Sequence, residues 1–155
     1  MPSISQLTSE IVSLVSGLPE TTDKGFSVYN LDDLQQVASL GGLPIVGVSY
    51  EGGDPVENKA DNVASRSKST GLFRVRFSVI LALAYESALS STDTKVDATD
   101  LLDGLRSTML GYIGVNTRPW RFVGEAPTPS DLEGVIFYGQ AWETDIVITG
   151  DHIRS

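Results

Sequence analysis

Apolar residues recur at helical spacing from the start of the chain: Ile4, Leu7, Ile11, Leu14 and Leu18, with Val15 beside Leu14. Ser3 with Gln6 three residues on has the form of a capping box, Gly17 weakens the last turn, and Pro19 ends the predicted helix. Thr21 to Gly25 reads as a polar turn and Phe26 to Tyr29 as a short strand. Asn30 then caps a short second helix carrying Leu31, Leu34, Val37 and Ala38, stopped by Gly41 and Gly42. Leu43 to Tyr50 is apolar and β-branched, a strand with Pro44 near its start. Glu51 to Gly71 has no period and holds Gly52, Gly53, Asp54, Pro55, Asn58 and Asn62, so it reads as a long loop. Loops of that length inside a domain are uncommon and usually functional or disordered.

The clearest pattern is Leu72 to Tyr85, where Phe73, Val75, Phe77, Val79, Leu81 and Leu83 alternate with Arg74, Arg76, Ser78, Ile80 and Ala82. Period two makes this a long strand whose second face is polar at first and apolar later, while Ile80 to Ala88, rich in Ala and Leu, could instead continue as helix. Asp97 to Gly114 reads as the second strong helix, with Asp97 as cap, Asp100 in the first turn, and a stripe of Leu101, Leu102, Leu105, Met109, Tyr112 and Ile113. Arg118 to Gly124 is a short strand, Pro127 and Pro129 mark a turn, and Gly134 to Thr149 is a final long strand. On that strand Ile136, Tyr138, Gln140, Trp142, Thr144, Ile146 and Ile148 share one face, while Glu143 and Asp145 lie on the other. Residues 150–155 form a flexible tail. The turn between the last two strands is too short for a helical crossover, so they pair antiparallel; strands 43–50 and 72–85 form a hairpin. The expected fold is α+β: a single antiparallel sheet of about four strands, two main helices packed on one face, and a long loop, 51–71, between the two early strands.

At 155 residues the chain fits one domain, and 41% hydrophobic with 20% charged residues excludes general disorder. No apolar run reaches the ~20 residues of a membrane span, and no basic stretch precedes an apolar core at the N-terminus. Cysteine is absent, which excludes a disulfide scaffold, a thiol nucleophile and cysteine metal sites. A formal charge of −9 argues against bulk attraction to nucleic acid or anionic lipid. The single histidine, His152, lies in the tail, which leaves histidine-based catalysis one poorly placed candidate.

The remaining candidate chemistry is sparse. Asp93, Asp97, Asp100 and Asp103 have metal-like spacing but read as a solvated helix start, without the glycine and closing glutamate of a calcium loop. Gly41-Gly42 and Gly52-Gly53 do not fit phosphate-loop spacing and read as turns. Glu143 and Asp145 could act as an acid–base pair, but read more naturally as the charged solvent face of an edge strand. Trp120, Phe122, Phe137, Tyr138 and Trp142 could stack bases, but read as core packing against the second helix. The segment from Lys59 to Arg76 stands out. Lys59, Arg66, Lys68, Arg74 and Arg76 are five of the eleven basic residues, against the one acid Asp61. In an acidic chain this polarity reads as either a docking surface or a solvated loop.

Three segments of the C-terminal half, ATDLLDGLRSTMLGY, RPWRFVGEAP and DLEGVIFYGQAWETDIVIT, follow the strand FRVRFSVILAL. Together, over residues 72–149, they resemble the tail terminator family of long-tailed phages and phage-derived particles, including the group related to a Mu-type tail protein. The resemblance implies a small α/β protein without catalytic activity, cofactor or metal. It implies a homo-hexameric ring on the head-proximal end of the tail tube, in the virion and, during assembly, in the host cytoplasm. Such a ring stops tube growth, and sheath growth in contractile tails, and then joins the neck or head-completion protein. DNA passes through its lumen without specific binding. The resemblance places the loop between the two early strands at the tube interface, here Glu51 to Gly71. With the charge polarity, this assigns Lys59, Arg66, Lys68, Arg74 and Arg76 to subunit or tube contacts. A head–tail connector or neck protein is the alternative, and a small enzyme built on Glu143 and Asp145 is the alternative of a different kind.

Overall fold

Ser3 begins the first helix as its spacing predicts. Its Oγ accepts a hydrogen bond from Gln6 N (3.1 Å), and Gln6 Oε1 accepts one from Ser3 N (2.8 Å), so two orphan donors are satisfied reciprocally. This helix, α1 (Ile4–Ser16), buries Leu7, Ile11 and Val15 and ends at Gly17. A computed structural model describes residues 3–23, 25–30, 44–56, 68–84, 92–114, 117–128 and 135–151. Pro19, expected to end α1, lies two residues past its Gly17 cap and opens α2 (Pro19–Asp23), which overlaps the turn predicted from Thr21 to Gly25. Proline suits a first helical position, and Thr21 is buried with its Oγ1 donating to Val15 O at 2.7 Å, which ties the two helices together.

The strands are β1 (Ser27–Asn30), β2 (Ile45–Val56), β3 (Lys68–Ala84), β4 (Arg121–Thr128) and β5 (Val135–Asp151), and the third helix is α3 (Thr92–Met109). They form one sheet in the order β1-β2-β3-β5-β4. The fold is α+β with a single sheet, as the patterning predicts, and β2–β3, β3–β5 and β4–β5 are antiparallel. The sheet has five strands, because β1 adds to β2, and that pair is parallel, so the sheet is mixed. The predicted helix over Leu31, Leu34, Val37 and Ala38 lies outside the described residues, as does His152.

Several boundaries differ from the sequence reading. Strand β2 continues past Tyr50 to Val56, through residues predicted as loop. A bulge between Tyr50 and Gly52 absorbs Glu51, and Gly52 takes φ +101°, a conformation cheap only for glycine. At Gly53 a Cβ would lie 2.4 Å from Arg74 O and 2.8 Å from the Phe73 ring, so glycine permits the close approach of β2 to β3. The predicted loop 51–71 is therefore strand at both ends. The predicted tail is partly strand too, since β5 runs to Asp151. Helix α3 starts before Asp97 and stops at Met109, short of Gly114. Gly111, at φ +76°, turns the chain so that its N–H donates to Trp120 O and Trp120 N donates to Tyr112 O. Strand β4 starts later than predicted and includes Pro127, tolerated because β4 is an edge strand.

The alternation in β3 and β5 sorts side chains by face. Val75, Phe77, Val79, Leu81 and Leu83, with Trp142 and Ile146, join Leu7, Ile11, Val15, Leu101, Leu105 and Met109 in the main core. Gln140 is buried on this face but fully engaged. Its Nε2 donates to Leu102 O (2.9 Å) and Glu125 Oε1 (2.7 Å), and its Oε1 accepts from Trp142 Nε1 (3.1 Å). On the opposite face Ile45, Ile80, Ala82 and Phe137 form a smaller cluster. The close approach at Gly53 generates a prediction. Gly53→Ala costs about 1–3 kcal/mol of stability by overpacking, while Gly71→Ala, where a Cβ meets nothing within 4 Å, changes it by less than about 0.5 kcal/mol. Urea unfolding of both variants checks the contrast.

Candidate functional site

The long register of β3 against β5 sets Arg74 opposite Asp145 and Arg76 opposite Glu143, on the sheet face away from the helices. Strand β2 brings Asp54 opposite Arg74, and β4 brings Arg121 opposite Glu143. Four strands thus converge on three guanidiniums and three carboxylates. Asp145 Oδ1 accepts from Arg74 Nε at 3.1 Å and from Arg121 Nη2 at 3.0 Å. Glu143 Oε1 accepts from Arg121 Nε at 3.3 Å, and its Oε2 lies 3.7 Å from Arg76 Nε. Arg76 Nη1 reaches Asp54 Oδ2 at 2.7 Å. The formal charges of the lattice cancel.

Its centre is the driest part: the Asp145 side chain is only 9% exposed, while the three arginines are between 36% and 42% exposed. Burial by itself pushes the Asp145 carboxyl up. Hydrogen bonds from Arg121 and Arg74, and their positive charge, outweigh it and hold the carboxyl below its ordinary 3.8. Arg121 shows the mirror effect, burial lowering it and Asp145 and Glu143 raising it further. Glu143 and Asp145 are thus bound in ion pairs, on a strand with neighbours on both sides. The edge-strand reading of this pair is corrected by the sheet order, in which β5 lies between β3 and β4.

Of the residues assigned to contacts from sequence, Arg74 and Arg76 meet here, paired within the chain. Lys68 opens β3 opposite Asp151. Lys59 and Arg66 fall outside the described residues. Asp54 is not singled out by sequence, because its segment has the composition of a loop. Nor is Arg121, because its role needs the pairing of β4 with β5, and Glu143 and Asp145 are its only sequence hint. Among the five late aromatics, Trp120, Phe137 and Trp142 are buried, Tyr138 packs against the core, and Phe122 is partly exposed with its ring 5.1 Å from that of Trp142. Asp103 pairs with Arg106, which also meets Glu125, and no metal-ligating cluster occurs among the described residues.

A shallow groove of about 410 Å³ lies between α2 and α3, bordered by Glu20, Asp100, Asp103, Gly104 and Ser107. It does not reach the lattice. No helix among the described residues is long and apolar enough to cross a membrane.

The lattice predicts an acid response. Because Asp145 is depressed in the folded state, its contribution is present above the unfolded carboxylate value near 3.8 and is lost as pH falls below it. Asp145→Asn lowers stability by about 2 kcal/mol at neutral pH, the usual scale for hydrogen bonds to a charged group. The variant also loses less further stability than the parent between pH 4 and pH 2. Urea midpoints measured across that range check both statements.

No family model and no curated protein matches the chain. Among solved structures it is similar to a chain described as "Virion of native gene transfer agent (GTA) particle", at 13% identity and a TM-score of 0.44, over 84% of this chain and 85% of that one.

Proposed function

We propose that this chain is a structural virion protein of tail terminator type. It acts as a homo-hexameric ring that caps the head-proximal end of a tail tube, ends its polymerisation, and presents the surface on which the neck or head-completion protein docks. In a contractile tail the same ring ends the sheath. Its mechanism is interface geometry rather than chemistry, and needs no cofactor. One face of the ring matches the acceptor surface of the last tube ring, and the other does not repeat it, so growth ends.

The observation that carries this reading is the projecting end of the sheet. Strand β4 begins level with Glu143, and beyond it, among the described residues, Arg118 N donates to Asp145 O and Thr117 bridges to Ile146. From Val147 to Asp151, β5 is paired with β3 alone among the described residues. Val147 and Ile148 are exposed there, on opposite faces. The β3 side of this arm begins at Lys68, and the segment before it in sequence holds Lys59 and Arg66. An arm with exposed apolar side chains, next in sequence to a basic segment, suits a contact with another protein. The sequence resemblance over residues 72–149 points the same way.

Electron microscopy of the purified protein, alone and mixed with tail tubes, tests the reading. Six-fold rings, or a cap at one tube end, are expected. Binding to the portal side without tube binding would instead identify a neck protein, and binding to neither would overturn both. Arg66→Glu with Lys68→Glu is expected to impair ring or tail assembly while leaving the urea midpoint unchanged. Tails of normal length made with that double variant would remove the basic segment from the interface.

A further inference from the structure

The two long edges of the sheet are chemically different, and the difference is complementary. On the β2 side, β1 reaches only as far as Asn30, opposite Val48, so among the described residues β2 has no outer neighbour from Ser49 onward. Glu51 sits there at the bulge, exposed and without a side-chain partner among the described residues. On the other side Arg118 is exposed and equally unpartnered, while its N–H donates to Asp145 O at 3.0 Å. Glu51 lies level with Trp142 and Glu143 of β5 and Arg118 level with Asp145, so the exposed acid and the exposed base stand on opposite edges at nearly the same height.

The apolar side chains show the same complementarity. Tyr50, Phe77, Trp142 and Phe122 are successive register partners across β2, β3, β5 and β4. Phe77 and Trp142, in the middle of this row, are fully buried, while its ends are open, Tyr50 at 37% and Phe122 at 40% exposure. Leu110 and Ile113, each 63% exposed, lie on the turn that Gly111 and Tyr112 tie by hydrogen bonds to Trp120, two residues before Phe122. A partner that supplies an aromatic beside an acid would fit the Arg118 edge, and one that supplies apolar side chains beside a base would fit the Glu51 edge. The chain itself carries both.

We infer that a second copy of this chain docks head to tail, the Tyr50–Glu51 edge of one copy against the Arg118–Phe122 edge of the next. This rests on the ring reading above and names its subunit contact. The contact joins two different surfaces, so it is heterologous and generates rings or filaments rather than a two-fold dimer. The edges lie three strand spacings apart, ~14 Å at ~4.8 Å per strand, so each copy passes the contact on to its neighbour.

The chain has no cysteine, which makes the test clean. With a short bismaleimide on the full-length protein, the double variant Glu51→Cys, Arg118→Cys is expected to give a ladder of covalent oligomers. A mixture of the two single variants should stop at dimers, and each single variant alone should give none. In parallel, Arg118→Glu is expected to weaken self-association about tenfold or more by sedimentation, and adding Glu51→Arg should restore it. Efficient cross-linking of either single variant alone, or a double variant that stays uncross-linked, overturns the contact. A ladder from a protein that forms neither rings nor tube caps would keep the contact and refute the terminator reading. Six-fold rings that never link positions 51 and 118 would do the reverse.

Discussion

The pairing of β3 with β5 runs from Lys68 opposite Asp151 to Ala84 opposite Val135, and the rest of the molecule is arranged around it. Side chains alternate between faces, so a slip of one residue would turn Arg74 and Arg76 toward the face that holds Phe77 and Trp142. Hydrophobic and electrostatic terms therefore select the same register. Phe77, Val79 and Leu81 must face α1 and α3, and Arg74 and Arg76 must face Asp145 and Glu143. Strands β2 and β4 then add on either side of a pair whose register is already fixed, and Asp54 and Arg121 complete the lattice.

That lattice changes what the charge distribution means. Along the chain, Lys59 to Arg76 is a basic run in an acidic protein. In the fold, Arg74 lies against a carboxylate 71 residues away, and the Arg74–Arg76 part of the run is neutralised. Attraction at short range inside the sheet outweighs the weaker, solvent-screened pull that the same arginines would exert on a distant partner. Among the described residues, Glu51 and Arg118 are exposed charges at the sheet edges that stand outside this lattice. Net charge of −9 describes the whole molecule, whereas the contact proposed above depends on these few groups.

The parts of the fold legible in sequence are those where local chemistry and tertiary demand agree. Ser3 and Gln6 cap α1 without help from the rest of the chain, and the period-two patterns of β3 and β5 are long enough to show through their ends. The parts that were not legible depend on distant neighbours. Gly52, Gly53, Asp54 and Pro55 have the composition of a loop, yet extend as strand because β3 offers a partner and glycine permits the bulge and close approach. The first turns of α3 precede its apolar stripe, so no hydrophobic signal marks its start. Its end is fixed by Gly111 and Trp120 rather than by Gly114. For the candidate site, Glu143, Asp145, Arg74 and Arg76 were each visible, but their conjunction was not, since it is written in strand order.

The aromatic row gives this sheet a property that a patchwork of independent contacts would lack. Its buried middle, Phe77 and Trp142, belongs to the same packed core as Leu101 and Met109, while its ends lie at the two outer edges. The ring of Tyr50 lies 5.3 Å from that of Phe77, and that of Phe122 lies 5.1 Å from that of Trp142. Close-packed side chains transmit displacement rather than absorbing it. A change of volume at Phe77 or Trp142 therefore moves the edges as well as the core, and residues in one packed network do not act additively. On the proposed reading, in which the protein holds a fixed geometry against its neighbours, this coupling joins folding and assembly. The interactions that select the native register also set the height and spacing of the two edges, so an edge in the right place is evidence that the core behind it is correctly packed.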